Sequence, residues 1–451
     1  MLTVKNNITR YLFWIFVTGI AVSCHAQKAA TEGLYQVAPA KTNAVFRHDT
    51  YIAFDSKNNS YSFDMSAKQN YGYLFVNENG VTRKVNLLTA IAALYPKTPE
   101  PTDTLFHALG SVTVDKKDRV YLIYYFYYPF NEGLKKWKAR IPLLLYSADQ
   151  GHSFKADKFA GDPDLVFLEK KSPFETNDYP PLIGYTKSTN EKVSPMADMN
   201  EFGIFEPEIA EGGELTNLRQ QLITHYSPGI SNHTGGESFA STFNNNTSIA
   251  YNEIPAKKDG NNIIILNYNR QTHAFGKQQR IPLIINSKYP YPDAHVTPVI
   301  VTLKNGQQHV IVGPQAGDYY DFTRNINNAA TDTFTRIAVL QGPRVYASAL
   351  RDKDDNIYLY FSAYKPKPGL YFQKFDPQIN AWGNEKLLVA PPKDFSARTK
   401  DNYGVYYFKP AIDMNNKLYL SFTFWNTYSK EMYPRFLFQS SDKGKKWKLN
   451  N

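Results

Sequence analysis

Three of the nine histidines stand at one phase of a repeated unit, and a tyrosine and a lysine share that phase: His48, His107, His295, Tyr346 and Lys409. Each introduces an apolar, alternating stretch. An imidazole has an ordinary pKa near ~6.5 and can take or give a proton around neutrality, and a phenol can supply a complementary transfer. Groups this far apart in sequence act together only if the fold brings the starts of their strands to one place. A histidine at a strand start is also commonly a hydrogen-bonded structural group, so the shared phase carries the expectation more than the residue type does.

The unit itself is legible. His107-Ala-Leu-Gly-Ser-Val-Thr-Val-Asp115 turns through Lys116–Asp118 into Val120-Tyr-Leu-Ile-Tyr-Tyr125. His295-Val-Thr-Pro-Val-Ile-Val301 turns at Asn305-Gly306 into His309-Val-Ile-Val312, and Pro410-Ala-Ile-Asp413 turns at Asn415-Asn416 into Leu418-Tyr-Leu-Ser-Phe422. Weaker copies start at His48, near Ser248 and at Tyr346. Period-2 alternation joined by Asn, Gly and Asp turns predicts antiparallel hairpins. Recurrence at roughly 45–60 residues approaches the roughly 40–50 residues of a four-stranded propeller blade. The expected fold is all-β: a seven-bladed β-propeller, six blades being the alternative, of four-stranded antiparallel blades. In such a ring the inner strand of each blade delivers its first side chains to the mouth of a central channel, where the residues named above would converge.

Bulk properties agree with a large core. The chain has 451 residues, 15% aromatic and 42% hydrophobic. No Gly/Ser linker, charge block or low-complexity tract divides it, so residues 27–451 read as a single propeller domain. Residues 1–26 read as a signal peptide, because Lys5 and Arg10 precede an apolar run, Tyr11 to Val22, too short for a membrane span. Cleavage after Ala26 predicts a secreted or periplasmic protein. The alternative is an outer-membrane lipoprotein anchored through Cys24, the only cysteine. The folded body then has no disulfide, which suits a bacterial envelope protein better than a small stapled module. Net charge is +10, and loss of Lys5 and Arg10 leaves +8. A basic exported protein suits polyanionic partners, an acidic or sulfated polysaccharide among them. No dense Lys/Arg stripe or nucleic-acid motif is present, so nucleic acid is not an expected partner. No obligate protein partner is evident.

Two segments fit S-x-D-x-G-x-x-[FW], the Asp-box: Ser147-Ala-Asp149-Gln-Gly151-His-Ser-Phe154 and Ser440-Ser-Asp442-Lys-Gly444-Lys-Lys-Trp447. Ser and Asp can bond the amides of a tight turn, Gly can supply positive φ, and the aromatic can pack between strands. These are fold signals at a propeller rim. Between Phe154 and Gly236 the repeat fades. That stretch, about 155–236, reads as a degenerate blade with long insertions, and Glu214 to Ile223 as a helix.

The segment Asp293-Ala-His295-Val-Thr-Pro298 … His309-Val-Ile-Val-Gly313-Pro-Gln315 … Tyr319-Tyr-Asp-Phe-Thr-Arg324 resembles the BNR-repeat propellers that include ulvan lyases and rhamnosidases acting on rhamnosyl-glucuronic acid linkages. Their pattern is D-x-H-x-x-P-x-I, a D-G-type turn, a strand ending H-V, then G-x-H and an aromatic stretch to T-R. The resemblance runs from about Asn246 to Phe361. It departs where many members carry a second histidine and this chain has Gln315; His107 or His48 would then fill that role. A lyase of this kind must neutralise a uronate carboxylate, remove the C5 proton and protonate the leaving oxygen. The resemblance implies His295 as base or acid, with Tyr346, Tyr319 or Tyr320 as its partner. Arg324 or Arg344 could hold the carboxylate bidentately and Gln315 could donate to it. Arg324 pairing with Asp321, or Arg344 only holding a loop, are the structural alternatives. His309 and His152 read as structural.

The expected activity is therefore β-elimination on a uronic-acid-containing, ulvan-type polysaccharide. A rhamnosidase-type glycoside hydrolase and a non-catalytic glycan-binding propeller are the alternatives. A sialidase fits less well: Arg140-Ile-Pro142 and Arg280-Ile-Pro282 imitate part of its arginine motif, but both precede apolar strands of the repeat. No HExxH or Cys/His cluster gives a catalytic metal a motif. No cofactor is required, and a structural Ca2+ held by loop carboxylates and carbonyls would leave no readable trace.

Overall fold

Alternating apolar stretches become strands, and the polar turns between them become hairpins. The computed structural model describes residues 52–63, 72–95, 106–127, 140–188, 199–225, 229–231, 238–254, 260–283, 296–314, 317–327, 333–363, 369–390, 403–426 and 436–449. Within each sheet the paired strands run antiparallel. The first sheet joins β1 (Ile52–Phe54), β2 (Ser60–Ser62), β3 (Tyr73–Glu78) and β4 (Val81–Asn86), followed by a short helix α1, Leu88–Leu94. The second joins β5 (Phe106–Val114), β6 (Val120–Tyr127), β7 (Arg140–Ser147) and β8 (Lys155–Lys158). The third joins β9 (Leu165–Leu168), β10 (Ile183–Lys187), β11 (Glu201–Ile209) and β12 (Leu215–His225). In the fourth, β13 (Gly229–Ser231) and β14 (Ala240–Phe243) both pair β15 (Asn246–Ile254), which continues to β16 (Asn261–Asn269) and β17 (Ala274–Leu283).

The fifth sheet has eight strands: β18 (Val299–Thr302), β19 (Gln307–Val312), β20 (Gly317–Asn325), β21 (Thr335–Arg351), β22 (Ile357–Ala363), β23 (Gly369–Asp376), β24 (Ala381–Trp382) and β25 (Lys386–Val389). The long β21 joins them: its first part pairs β20 and its second part pairs β22. The sixth sheet joins β26 (Tyr403–Ile412), β27 (Leu418–Asn426), β28 (Phe436–Ser440) and β29 (Lys448–Leu449).

The arrangement is a propeller of antiparallel blades, with the blade count corrected. Five sheets follow a four-strand path as separate blades, and the rest of the strands form one continuous eight-stranded sheet rather than further separate blades of a seven- or six-membered set. The predicted helix at 214–223 is also corrected. It is the outer strand β12, and Leu215, Leu218, Leu222 and Ile223 imitate a 3.6 period because two register shifts against β11 break strict alternation. Among the described residues, no N-terminal strand joins the C-terminal sheet. Sheet-to-sheet contact closes the ring instead: β1 touches β26, Phe54 lies against Tyr419 with centroids 4.8 Å apart, and Met414 N–H donates to Asn58.

Hydrophobic cores lie between neighbouring sheets. Tyr61, Leu74 and Val76 of the first pack on Leu122, Tyr124 and Leu143 of the second, and Phe167 and Phe202 of the third pack on Phe239 and Tyr251 of the fourth. Full burial of each such side chain contributes roughly 1.5–3 kcal/mol. The two S-x-D-x-G turns share one geometry. Ser147 Oγ accepts from Gly151 N–H (2.8 Å) and donates to Asp149 (2.7 Å), which accepts from Ser153 N–H. Ser440, Asp442, Gly444 and Lys446 repeat this pattern.

A second recurring device escaped the sequence reading. In D-x-x-x-[NRK]-x-Y, one aspartate closes the hairpin after an inner strand: Asp55 with Tyr61, Asp115 with Tyr121, Asp352 with Tyr358 and Asp413 with Tyr419. In the third copy, Asp352 Oδ1 accepts from the N–H groups of Asp354 and Asn356, both at 2.9 Å, and Oδ2 accepts from Asn356 Nδ2 and Tyr358 OH, both at 2.8 Å. Asn58, Asp118, Asp355 and Asn416 each take the positive φ that the turn needs. Burial, then the adjacent carboxylate, pushes the Tyr61, Tyr358 and Tyr419 phenols far above their ordinary range, so each is a neutral donor. Asp352→Ala strands several donors at roughly 1–3 kcal/mol each. A clear fall in the urea midpoint is expected, against a smaller fall for Tyr358→Phe; equal, negligible shifts would contradict the clasp.

Candidate binding site in the central channel

The inner strands enclose the candidate site. β1, β5, β14, β18 and β26, the end of β9 and the second part of β21 all contribute to one central cavity, through Ile52–Phe54, Ser111–Val114, Leu168, Ala240, Ser241, Ile300–Thr302, Ala349–Arg351 and Lys409–Ile412. All but one of these strands run on into short hairpin turns at one end of the channel. The exception follows β9, where residues 169–182 form a long loop across that turn end. Arg119 and Arg351 donate to the Asp178 and Phe174 carbonyls of the loop at 3.3 and 3.2 Å. Lys170 donates to the Pro410 carbonyl, and Tyr179 OH donates to Asn245 at 2.9 Å. The loop thus ties four sheets together and floors the cavity.

A charge network enters with it. Glu169, 1% exposed, accepts from Lys171 Nζ at 3.0 Å, Thr242 Oγ1 at 2.9 Å and Leu182 N–H at 2.9 Å. Arg270, fully enclosed, lies 4.0 Å from Glu169, donates through Nε to Glu206 at 2.7 Å and donates to the Pro180 carbonyl at 2.8 Å. Glu206 also accepts from Tyr268 OH at 2.6 Å and meets His273 Nδ1 at 2.7 Å. Burial alone would raise the Glu169 carboxyl, but the Lys171 and Arg270 charges and the Leu182 N–H hold it below its ordinary value.

Glu175 behaves oppositely. It is partly exposed and lines the cavity. Burial, aided by the Glu169 charge and opposed by Lys171 and Arg351, raises its carboxyl above the ordinary 4.5. The folded state therefore holds this proton more tightly than the unfolded chain does, and stability falls as pH rises beyond about 4.5. Glu175→Gln is expected to raise the urea midpoint at pH 7, with the gain vanishing toward pH 4; every tenfold difference in proton affinity between the folded and unfolded chain corresponds to about 1.4 kcal/mol. A pH-independent difference would contradict this assignment.

The sequence candidates fare unevenly. His48, His295 and Gln315 lie outside the described residues. His107 sits on β5, just before the register shift between Leu109 and Ser111, where only its backbone is described. Tyr346 lies in a register shift of β21 with φ +56° and packs on the core around Phe408 and Leu420. Lys409 lines the cavity. The two arginines and the neighbouring tyrosines lie outside the cavity lining. Arg324, 3% exposed, donates to Gln308, Ser248 and Asn267 and clamps the fourth sheet to the fifth. Asp321 accepts from Trp382 Nε1 at 2.9 Å and meets the fully buried His309, which is structural as expected. Arg344, 2% exposed, donates to the Leu340 and Gln341 carbonyls and to Glu385, and lies over the Phe361 ring. Tyr319 is core, and Tyr320 sits on β20 beside Phe322 and Arg336. None of these four lines the cavity. The sequence reading missed Glu169, Lys171, Glu175 and Arg351. Among the described residues, no three His, Cys, Asp or Glu side chains group as metal ligands would.

No protein-family model and no curated protein matches the chain. Among solved structures, the polysaccharide lyase Uly1 is similar at 12% identity and TM-score 0.36, covering 53% of this chain and 58% of that one. An ulvan lyase of a new polysaccharide lyase family is similar at 12% identity and TM-score 0.37, covering 48% and 54%. A protein of unknown function from Dyadobacter fermentans is similar at 11% identity and TM-score 0.46, covering 74% and 95%. The matched region thus spans little more than half the length of the two lyases. Likenesses this distant carry no activity to this chain.

Proposed function

We propose that the protein is an exported enzyme that cleaves an acidic, uronic-acid-containing polysaccharide of the ulvan type by β-elimination at the mouth of the central channel. The resemblance of residues 293–324 to ulvan-acting propellers gives the reaction class. One geometric observation supports the location. Each proposed proton-transfer residue stands shortly before a stretch that lines the cavity from a different part of the ring: His48 before Ile52–Phe54, His107 before Ser111–Val114, His295 before Ile300–Thr302 and Tyr346 before Ala349–Arg351.

Elimination then needs one group to take the C5 proton and another to protonate the departing glycosidic oxygen; the C4–O bond breaks as the C4–C5 double bond forms. His295 and Tyr346 are assigned these transfers, with His107 and His48 beside them, and the chemistry as written calls for no cofactor. The leader segment and the basic balance suit secretion or a periplasmic location. Arg324 and Arg344 are left out of the proposed substrate contacts, because neither lines the cavity. The test is product chemistry. Ulvan and other uronic-acid polymers incubated with the protein are expected to gain ultraviolet absorbance from an unsaturated uronate. Release of reducing ends without that absorbance would assign a hydrolase, and tight binding without turnover a glycan-binding propeller.

A further inference from the structure

The lining of the cavity carries more positive than negative charge. Lys170, Lys171, Arg351 and Lys409 belong to it, from the loop, β21 and β26, against Glu169 and Glu175. Arg351 is held by Asp355 at 2.7 Å and by the Phe174 carbonyl, so its guanidinium is fixed in place. Glu169 is fully engaged by Lys171, Thr242 and Leu182 and has little left for a cation. On β5, Ser111 is 3% exposed, lines the same cavity, and its Oγ has no hydrogen-bond partner. A buried hydroxyl in this position is an unused donor. The free space is about 80 Å³, several times the ~10–15 Å³ that one water needs.

We propose that this cavity binds one small anionic oxygen group, a carboxylate or a sulfate, between Lys171, Arg351, Lys409 and Ser111. Glu175, whose carboxyl burial keeps protonated to higher pH than usual, adds a neutral donor. Ionised Glu175 would repel the anion, so binding weakens as pH rises through its raised range. Lys171 and Arg351 face Glu175 from the attractive side, and Glu169 from the repulsive side. Two sources offer this chemistry: a free oxyanion, and the acidic end of a saccharide reaching in from the mouth. Only the second rests on the proposed function.

The test uses the full chain and sodium sulfate, titrated at constant ionic strength against chloride and read by calorimetry and thermal unfolding. A saturable heat and a saturable rise in melting temperature are expected, larger at pH 5 than at pH 8. Lys171→Gln and Lys409→Gln are each expected to weaken binding about tenfold or more, and Ser111→Ala to weaken it less. Should Lys171→Gln fail to fold, Lys409→Gln and Ser111→Ala carry the comparison. Glucuronate competing with sulfate identifies the saccharide end as the source; sulfate bound without such competition identifies the free ion. A non-saturating rise of equal size in every variant, or saturable binding of calcium chloride in place of sulfate, overturns the proposal. Polymer turnover is measured separately, so its persistence without a sulfate isotherm would sink the anion site alone.

Discussion

His295→Ala is expected to lower the rate of polymer cleavage by about 10²–10⁴-fold, the contribution typical of one positioned general acid or base. The size follows from the role. If the imidazole moves the proton in the rate-limiting step, its removal leaves only water and whatever binding the channel supplies. Substrate affinity should change far less than turnover, because the group acts in the transition state rather than in holding the chain. His107→Ala and Tyr346→Phe test the complementary transfer: one of them should approach the same loss. If instead all three variants keep their turnover, the shared phase of these residues would be structural.

The second large effect concerns stability. Glu169→Ala leaves Lys171, with a side chain 2% exposed, without its carboxylate partner, while Arg270 keeps Glu206. Removing one partner from a buried ion cluster costs about 3–5 kcal/mol, mostly from the uncompensated charge left behind. Because the carboxyl is held below its ordinary range, this stabilisation is complete at neutral pH and fades as acid protonates Glu169. Equilibrium urea unfolding checks both points: the variant's deficit should be large at pH 7 and smaller in acid. Glu169→Gln combined with Lys171→Met should recover part of the loss, since replacing a whole buried pair costs less than breaking it. An unchanged midpoint for Glu169→Ala would show that the network contributes nothing.

How much of this could be read from the residues depended on how far apart the partners lie. Hairpins such as β5–β6 and β26–β27 are local, and alternation with polar turns revealed them. The Ser147 and Ser440 turns are local too. The Asp352–Tyr358 clasp was equally available, since aspartate and tyrosine recur at a fixed spacing in four hairpins; the aspartates were read only as strand ends. The Glu206–Arg270 pair joins groups 64 residues apart and depends on how the third sheet meets the fourth, which no local pattern encodes. The placement of Arg324 and Arg344 outside the cavity lining was hidden for a related reason. Whether a strand's arginine faces the channel or a neighbouring blade turns on the register of β20 and β21, and both strands carry shifts there. The outer strand β12 misled because its shifts against β11 gave it a helical-looking spacing.

The most direct measurement is the ultraviolet trace of wild-type protein mixed with ulvan, run beside His295→Ala at the same concentration. A steady rise for the wild type and a nearly flat line for the folded variant is the predicted result. A flat wild-type trace with sugar released, or equal rises from both proteins, would contradict elimination driven from the mouth of the channel.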